Sequence, residues 1–576
     1  MNKRTVLLAI VAAVEIFLII FIGIKSYESN KLHYEGKESV QDNKHSGSGD
    51  SDGHEDIEST GDDTGDSGQT DIEEGVAEAS EDVNDTSEKS DSSSNDSKID
   101  DAKTDDVDRS DNGDIDPDEG KKDTGEDERE DDSDDDDNSD DEPDDDDDDP
   151  EDIGKKNSSY DSRDYGYVTE VKDQGDFNTC WVFSACAAIE SDILAEGLSD
   201  DVDLSELQLA YFFYNSAADK QNNTDGDKTE VGYEDYDYAD IGGNEIFLTY
   251  MLAARNGLVS EEVMPYELIG RTGFDENLCW ENDEYYIENI DWIDLKDSDA
   301  IKEAIRDHGG VVLQYYFTTA GSYYNRQNGA YYNSKRTSVN HASEIVGWDD
   351  NYPAENFVMS PENDGAWLVK NSYGTDMGED GYIWISYEDL SFESDIYSAY
   401  AFDVEKADDS GLYQYDGSYG YKNISIPDNT RISNVFDATE DGNIDSIGIS
   451  TVESNTKYSV SIYKNPSDDS DPESGELVYE ESETGTIRFA GYHTISLKDN
   501  VSVTAGDKFA IVVTLRSEDG GKMELPIEAT YANPANNPWI VFTNNAREKI
   551  SFINEGDGWS DLYEKGYTLR LKAYVN

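Results

Sequence analysis

Cysteine is scarce in this chain of 576 residues, with three in all: Cys180, Cys186 and Cys279. That is too few for a disulfide-stapled scaffold, although a Cys186–Cys279 bridge stays open. Basic side chains are scarce too, 43 Lys and Arg against 134 Asp and Glu, for a formal charge of −91. Such a balance argues against nucleic acid as a partner, because phosphate binding needs clustered Lys and Arg. Cationic peptides, metal ions and basic surfaces suit the field better. Aromatic residues are missing altogether between Tyr34 and Tyr160. Long apolar runs are nearly absent, and the one exception is "TVLLAIVAAVEIFLIIFIGI" at 5–24.

That run has the length of a bilayer-spanning helix, about 30 Å. Lys3 and Arg4 precede it, and Glu15 alone interrupts it. The positive flank predicts a retained signal anchor within residues 1–29, with everything after Lys25 outside. Cleavage as a signal peptide is the rival reading, and the chain would then be secreted. Residues 30–157 form an Asp-, Ser-, Gly- and Glu-rich stretch, and 41–150 carry 49 acidic against 8 basic side chains. A segment of this kind cannot bury enough apolar surface to fold and its charges repel, so it reads as a disordered spacer. Its Asp runs lack the ligand geometry of a dedicated calcium loop. No cofactor or metal site is expected.

From Tyr160 the composition turns aromatic and globular. Helical patterns at 180–196, 204–214, 243–257 and 300–310 are followed by strand-like runs at 310–317, 342–350, 365–372 and 381–388. Helices first and strands later predict an α+β domain over 158–404. Beyond it, short strands separated by Gly, Asn and Asp turns predict an all-β sandwich or jelly roll over 405–576.

The chemistry centres on "DQGDFNTCWVFSACAAIE" (173–190). Cys180 stands where a polar turn gives way to a helix, and the exposed N–H groups and dipole of a helix start favour a thiolate. A thiol nucleophile also needs a base, an orienter for that base, and donors for an oxyanion. His341 in "VNHASEIVGWDD" directly precedes an apolar strand; Asn371 in "WLVKNSYG" follows another; Gln174 lies six residues before Cys180. His308, at the end of "AIKEAIRDHGG", reads as a helix C-terminal cap instead.

With these residues in order, "DSRDYGYVTEVKDQGDFNTCWVFSACAAIE" resembles the opening of a papain-like cysteine peptidase. "LSELQLAYF", "GGNEIFLTYMLAARNGLVSEEVMPY", "NHASEIVGW" and "WLVKNSYG…GEDGYIWI" follow in the family's order, so that the resemblance covers about 158–402. It implies a two-lobed peptidase fold, a helical lobe beside a β lobe. Cys180 would be the nucleophile, His341 the general base and acid, Asn371 the orienter and Gln174 the oxyanion donor, with a resting thiolate–imidazolium pair. Gly242 and Gly243 would line the cleft for a substrate backbone, Ala342 would shape the specificity pocket, and Tyr373 replaces the tryptophan that covers the Asn–His contact. Phe177 replaces the family's cysteine three before the nucleophile, so that disulfide is absent. The region from "ISNVFDATEDGNIDSIGIST" onward resembles the lectin-like domain attached to such peptidases in Gram-positive bacteria. Together these imply a surface-tethered cysteine endopeptidase acting on peptides or proteins, single-pass in the cell membrane with its C-terminal portion outside. The β domain would take a glycan or cell-wall ligand, with Trp539 and Trp559 as candidate platforms. A surface adhesin on a weak peptidase fold, and a peptidase of cell-wall peptide stems, are the competing readings.

Overall fold

The computed structural model describes residues 158–576, except 233–235, 281–283, 394–398, 409, 482–483 and 531–539. The apolar run 5–24, the acidic spacer and Trp539 lie outside the described residues. Among the described residues no helix is long and apolar enough to cross a membrane.

The central element is helix α1, Cys180–Ala195. Its alanines and apolar side chains leave no polar stripe, and it is buried on nearly every side, as an all-round apolar helix must be. Helices α2 (Glu206–Tyr214), α3 (Tyr238–Ile241) and α4 (Glu245–Ala253) pack around it. Each starts on a short polar side chain that accepts an otherwise orphaned N–H: Ser205 from Gln208, Asp237 from Ala239, Asn244 from Ile246. Helix α5, Ser298–His308, is amphipathic, burying Ala300, Ile301, Ala304 and Ile305, and stops at Gly309 in a left-handed turn. The helix predicted from 243 thus starts at 245, because Asn244 is its cap.

The second lobe is an antiparallel sheet in which Tyr285–Ile293, Ala399–Lys406, Val311–Tyr315, His341–Asp349, Ala366–Lys370 and Tyr382–Ser386 are neighbours in that order. Its core is separate from that of the helical lobe, with Leu313, Ile345, Trp367 and Ile383 at its centre. The fold is therefore α+β and two-lobed, followed by an all-β sandwich. The sandwich packs Gly442–Thr451, Ala490–Val503 and Leu571–Val575 against a seven-stranded sheet containing Thr430–Asp437, Thr456–Lys464 and Lys508–Arg516.

The two parts are joined more closely than their order along the chain suggests. Strand Ala490–Val503 of the sandwich pairs with Tyr285–Ile293 of the first part, Ala490 opposite Trp292 and Tyr492 opposite Ile290. One sheet of 13 strands thereby runs through both. The insertion at 218–240 adds a second tie, since its strand Lys228–Val231 pairs with Ile540–Thr543. Tyr419, Val452, Tyr492, Ile540 and Phe542 belong to the same apolar core as Trp181 and Phe212.

One question that the sequence leaves open is closed here, and one expectation fails. Cys186 and Cys279 are free, buried thiols and form no bridge. His308 does not cap carbonyls; its Nδ1 meets the buried Asp192 carboxylate of α1 at 2.7 Å, tying α5 to α1.

Candidate active site

Cys180 is the first residue of α1. Thr179, at the cap position, makes no capping bond; its hydroxyl instead meets the Tyr266 hydroxyl at 2.6 Å. The N–H groups at the helix start are thus left for the thiol, and those of Cys180 and Trp181 point to its sulfur, joined by that of Ala342. Because Ala342 directly follows His341, this contact brings thiol and imidazole into one site.

His341 opens the strand His341–Asp349 opposite Tyr315 and is buried. Its ring is held on several sides. Tyr373 stacks on it at 4.9 Å and 5° between planes, while Tyr315 and Phe317 pack against it. Asn371 lies just beyond the strand Ala366–Lys370. Its Oδ1 accepts from Ser372 N–H at 2.8 Å and from His341 Nε2 at 2.9 Å. A backbone N–H can only donate, so Oδ1 is the acceptor and Nε2 must carry the proton. The imidazole is left with its lone pair on Nδ1. The nearest donor to that atom within the site is the Tyr373 hydroxyl, at a long 3.4 Å.

Gln174 is drawn to the same turn: its N–H donates to Ser372 O at 2.9 Å and its Oε1 accepts from Ser372 Oγ at 2.7 Å. Its Nε2 gives one hydrogen to Phe177 O at 2.7 Å, leaving the second to donate. With no disulfide at Phe177, Asn178 ties the loop to α3, its N–H donating to Ala239 O at 3.0 Å and its Nδ2 to Asp240 O at 2.6 Å.

Burial sets the protonation states. It pushes the Cys180 thiol up to about 12, with the Glu245 carboxylate adding to the rise and the three N–H groups opposing it. It drives His341 down to about 4, against the pull of Asn371. Each surrounding disfavours a lone charge, so a thiolate–imidazolium pair here has to be held by the two charges on each other, the three N–H groups and Asn371.

The expected substrate-facing residues are partly re-cast. Gly243 is half-buried and lies against an indole, since a Cβ there would come within 2.3 Å of the Trp181 ring. Gly242 holds φ 81°, a left-handed conformation closing α3, and its carbonyl accepts from Tyr214. Ala342 is buried, and its contribution is the N–H toward Cys180 rather than an open pocket wall. Trp559 is no free platform: Arg431 covers its ring and its N–H donates to Glu473 at 3.1 Å.

Three contributors escaped the sequence reading. Tyr266 holds the Cys180 loop, its hydroxyl donating to Gln174 O at 2.9 Å besides meeting Thr179. Glu245, the first residue of α4, accepts from the Gln314 side chain across the lobes. Gln314 is directly opposite Ala342 in the β ladder. Glu245 was within the quoted "GGNEIFL", but nothing local signals that its partner is 69 residues away.

Comparison with known proteins identifies the two domains. The papain family cysteine protease profile matches residues 156–401 and the lectin like domain profile residues 412–575. Procathepsin L of Felis catus is 31% identical over 236 residues, 39% of this chain and 59% of that protein. Cysteine proteinase COT44 of Brassica napus is 30% identical over 231 residues, 39% of this chain and 57% of that protein. The chain thus spans less than two thirds of the length of these relatives. The solved cysteine protease and lectin-like domains of Cwp84, a surface layer associated protein of Clostridium difficile, superpose with a TM-score of 0.61. They are 26% identical, covering 73% of this chain and 89% of that one.

Proposed function

The chain carries a papain-family cysteine peptidase domain followed by a lectin-like domain, and on that premise we propose that it is a cell-surface endopeptidase working through Cys180, His341 and Asn371. In the first step the Sγ–H proton passes to Nδ1 of His341 as sulfur attacks the substrate carbonyl carbon. The carbonyl oxygen becomes an oxyanion received by the Cys180 N–H and the remaining Nε2–H of Gln174. Collapse breaks the C–N bond, the imidazolium protonates the departing amine, and a thioester remains. Water then attacks the thioester, giving its proton to His341, and the carboxylic acid leaves as the thiol is restored. The observation that carries this reading is the Asn371 acceptor fixed by Ser372 N–H, which leaves the lone pair of His341 on Nδ1, while the N–H of the next residue, Ala342, reaches Cys180.

Glu245 supports a preference for substrates with a cationic side chain near the scissile bond, since it puts a carboxylate within Coulomb range of Cys180. Replacing it by Gln is expected to shrink the ratio of kcat/KM for lysine-bearing over glutamate-bearing peptides by about ten-fold. The same change removes a negative neighbour, so the Cys180 pKa falls and iodoacetamide alkylates it faster at neutral pH. Unchanged selectivity and alkylation would take Glu245 out of the site's electrostatics.

Surface placement rests on Lys3, Arg4 and the apolar run 5–24, with the acidic spacer carrying the folded part outward. The surface association printed for Cwp84 agrees. The lectin-like match favours a second reading, a glycan-binding adhesin on a silent peptidase fold. Peptide cleavage by the purified chain in reductant, beside a Cys180→Ala variant, separates the two. Cleavage lost in the variant supports the peptidase; no cleavage by either, with surface adhesion surviving thiol alkylation, supports the adhesin.

A further inference from the structure

Where the shared sheet crosses from the peptidase part into the sandwich, one face is only partly covered. A cleft of about 300 Å³ lies over it, within the size range of small-molecule sites. Its floor comes from three neighbouring strands: Asn289 and Asp291 from Tyr285–Ile293, Ala401 and Asp403 from Ala399–Lys406, and His493 from Ala490–Val503. The alternate spacing within the first two strands, and the pairing of Asn289 with both Asp403 and His493, put all five on one face. His308 at the end of α5 closes one side, and Tyr458 with the segment Thr486–Phe489 forms the other.

The polar groups in this cleft are mismatched in a way that describes a missing donor. His493 Nε2 meets the Phe489 carbonyl at 3.0 Å, so it carries the ring proton. Burial favours the neutral ring, down to about 4, and also raises the facing Asp291 carboxyl to about 6, so neither group is comfortably charged without a partner. In the neutral ring Nδ1 presents a lone pair, and the atom facing it at 3.9 Å is a carboxylate oxygen of Asp291, a second acceptor. Among the described residues no donor reaches the Asp291 carboxylate within hydrogen-bond distance. Asp403 holds one donor, Asn289 Nδ2 at 2.6 Å. His308 and Arg488 lie within Coulomb range of Asp291 but give their hydrogen bonds elsewhere, His308 to Asp192 and Arg488 in a two-pronged pair with Glu303 at 2.7 Å. An ammonium or hydroxyl between Asp291 and His493 would satisfy both acceptors, and an ammonium would also offset the carboxylate charge.

We propose that this cleft binds an amine-bearing saccharide, with its ammonium between Asp291 and His493 Nδ1 and its ring against Tyr458. The half-buried aromatic wall and the concentration of acceptors over a cleft of this size fit a sugar ring better than an extended chain. The site spans both domains and is separate from Cys180, so it stands or falls independently of peptide cleavage.

Calorimetric titration of the full chain with the β-1,4-linked glucosamine tetramer, beside its fully N-acetylated counterpart, tests the assignment. The free-amine tetramer is expected to bind at least about ten-fold more tightly, and Asp291→Asn to weaken it by a similar factor. Thr486→Arg, at an exposed rim position, should do the same without touching the floor, and it serves if the first variant misfolds. Equal binding of both tetramers, no binding of either, or wild-type affinity in a folded Asp291→Asn variant would overturn the site. Competition by spermidine as strong as by the saccharide would overturn the sugar assignment.

Discussion

Replacing His341 by alanine is expected to lower kcat/KM for peptide cleavage by about 10³–10⁴. In the proposed mechanism the imidazole, with its lone pair on Nδ1, takes the Cys180 proton. Burial pushes the Cys180 thiol up, so sulfur needs a partner to take its proton before it can attack. Asn371→Ala is expected to cost less, about 10–10². It frees the ring tautomer by removing the acceptor for Nε2–H, yet Tyr373, Tyr315 and Phe317 still clamp the ring. Steady-state kinetics on both variants, with thermal melts to confirm folding, check the order of the two effects. A His341→Ala enzyme within about two-fold of the parent would remove the imidazole as proton acceptor.

The candidate catalytic residues were legible through the papain-like motifs that carry them, and each sits at a local boundary that the sequence marks. Cys180 lies where a polar turn meets an alanine-rich helix, His341 at the first residue of an apolar strand, Asn371 just past the last of another. Their electrostatic state was not legible. Helix start and imidazole both favour a thiolate, but burial and the Glu245 carboxylate raise the thiol, and neither of those is marked in the local sequence. Partnerships between distant residues were hidden for a different reason. The Glu245–Gln314 contact, the His308–Asp192 bond and the pairing of 228–231 with 540–543 each join segments with unrelated local patterns. The change to short strands after about 405 marks a change of architecture, yet it says nothing about which strand edge the new part will cover. The two free cysteines show the same limit: Cys186 and Cys279 are both buried, and burial rather than pairing accounts for them.

That hidden edge has the largest structural consequence. Residues 158–407 produced without the sandwich are expected to be recovered as aggregate or as a loosely packed state, not as an active peptidase. Removing the sandwich strips the strand Tyr285–Ile293 of its neighbour and leaves a row of unpaired N–H and C=O groups beside Trp292. It also takes Tyr419, Tyr492, Ile540 and Phe542 out of the core that packs Trp181 and α4. Four large side chains at about 1.5–3 kcal/mol each are comparable with the whole stability of an ordinary domain, about 5–15 kcal/mol. Polar contacts go with them: Gln414 no longer donates to Ala254 O at the end of α4, and Arg570 no longer lies over the Tyr250 ring at 3.7 Å. Soluble yield, near-ultraviolet circular dichroism and a thermal melt of this fragment, beside residues 158–576, measure the effect. Loss of the near-ultraviolet signal with retained far-ultraviolet signal would be the mark of a core left incomplete. A cooperative melt within a few degrees of the longer chain would instead show that the peptidase lobes hold Trp181 and Cys180 in place without the sandwich.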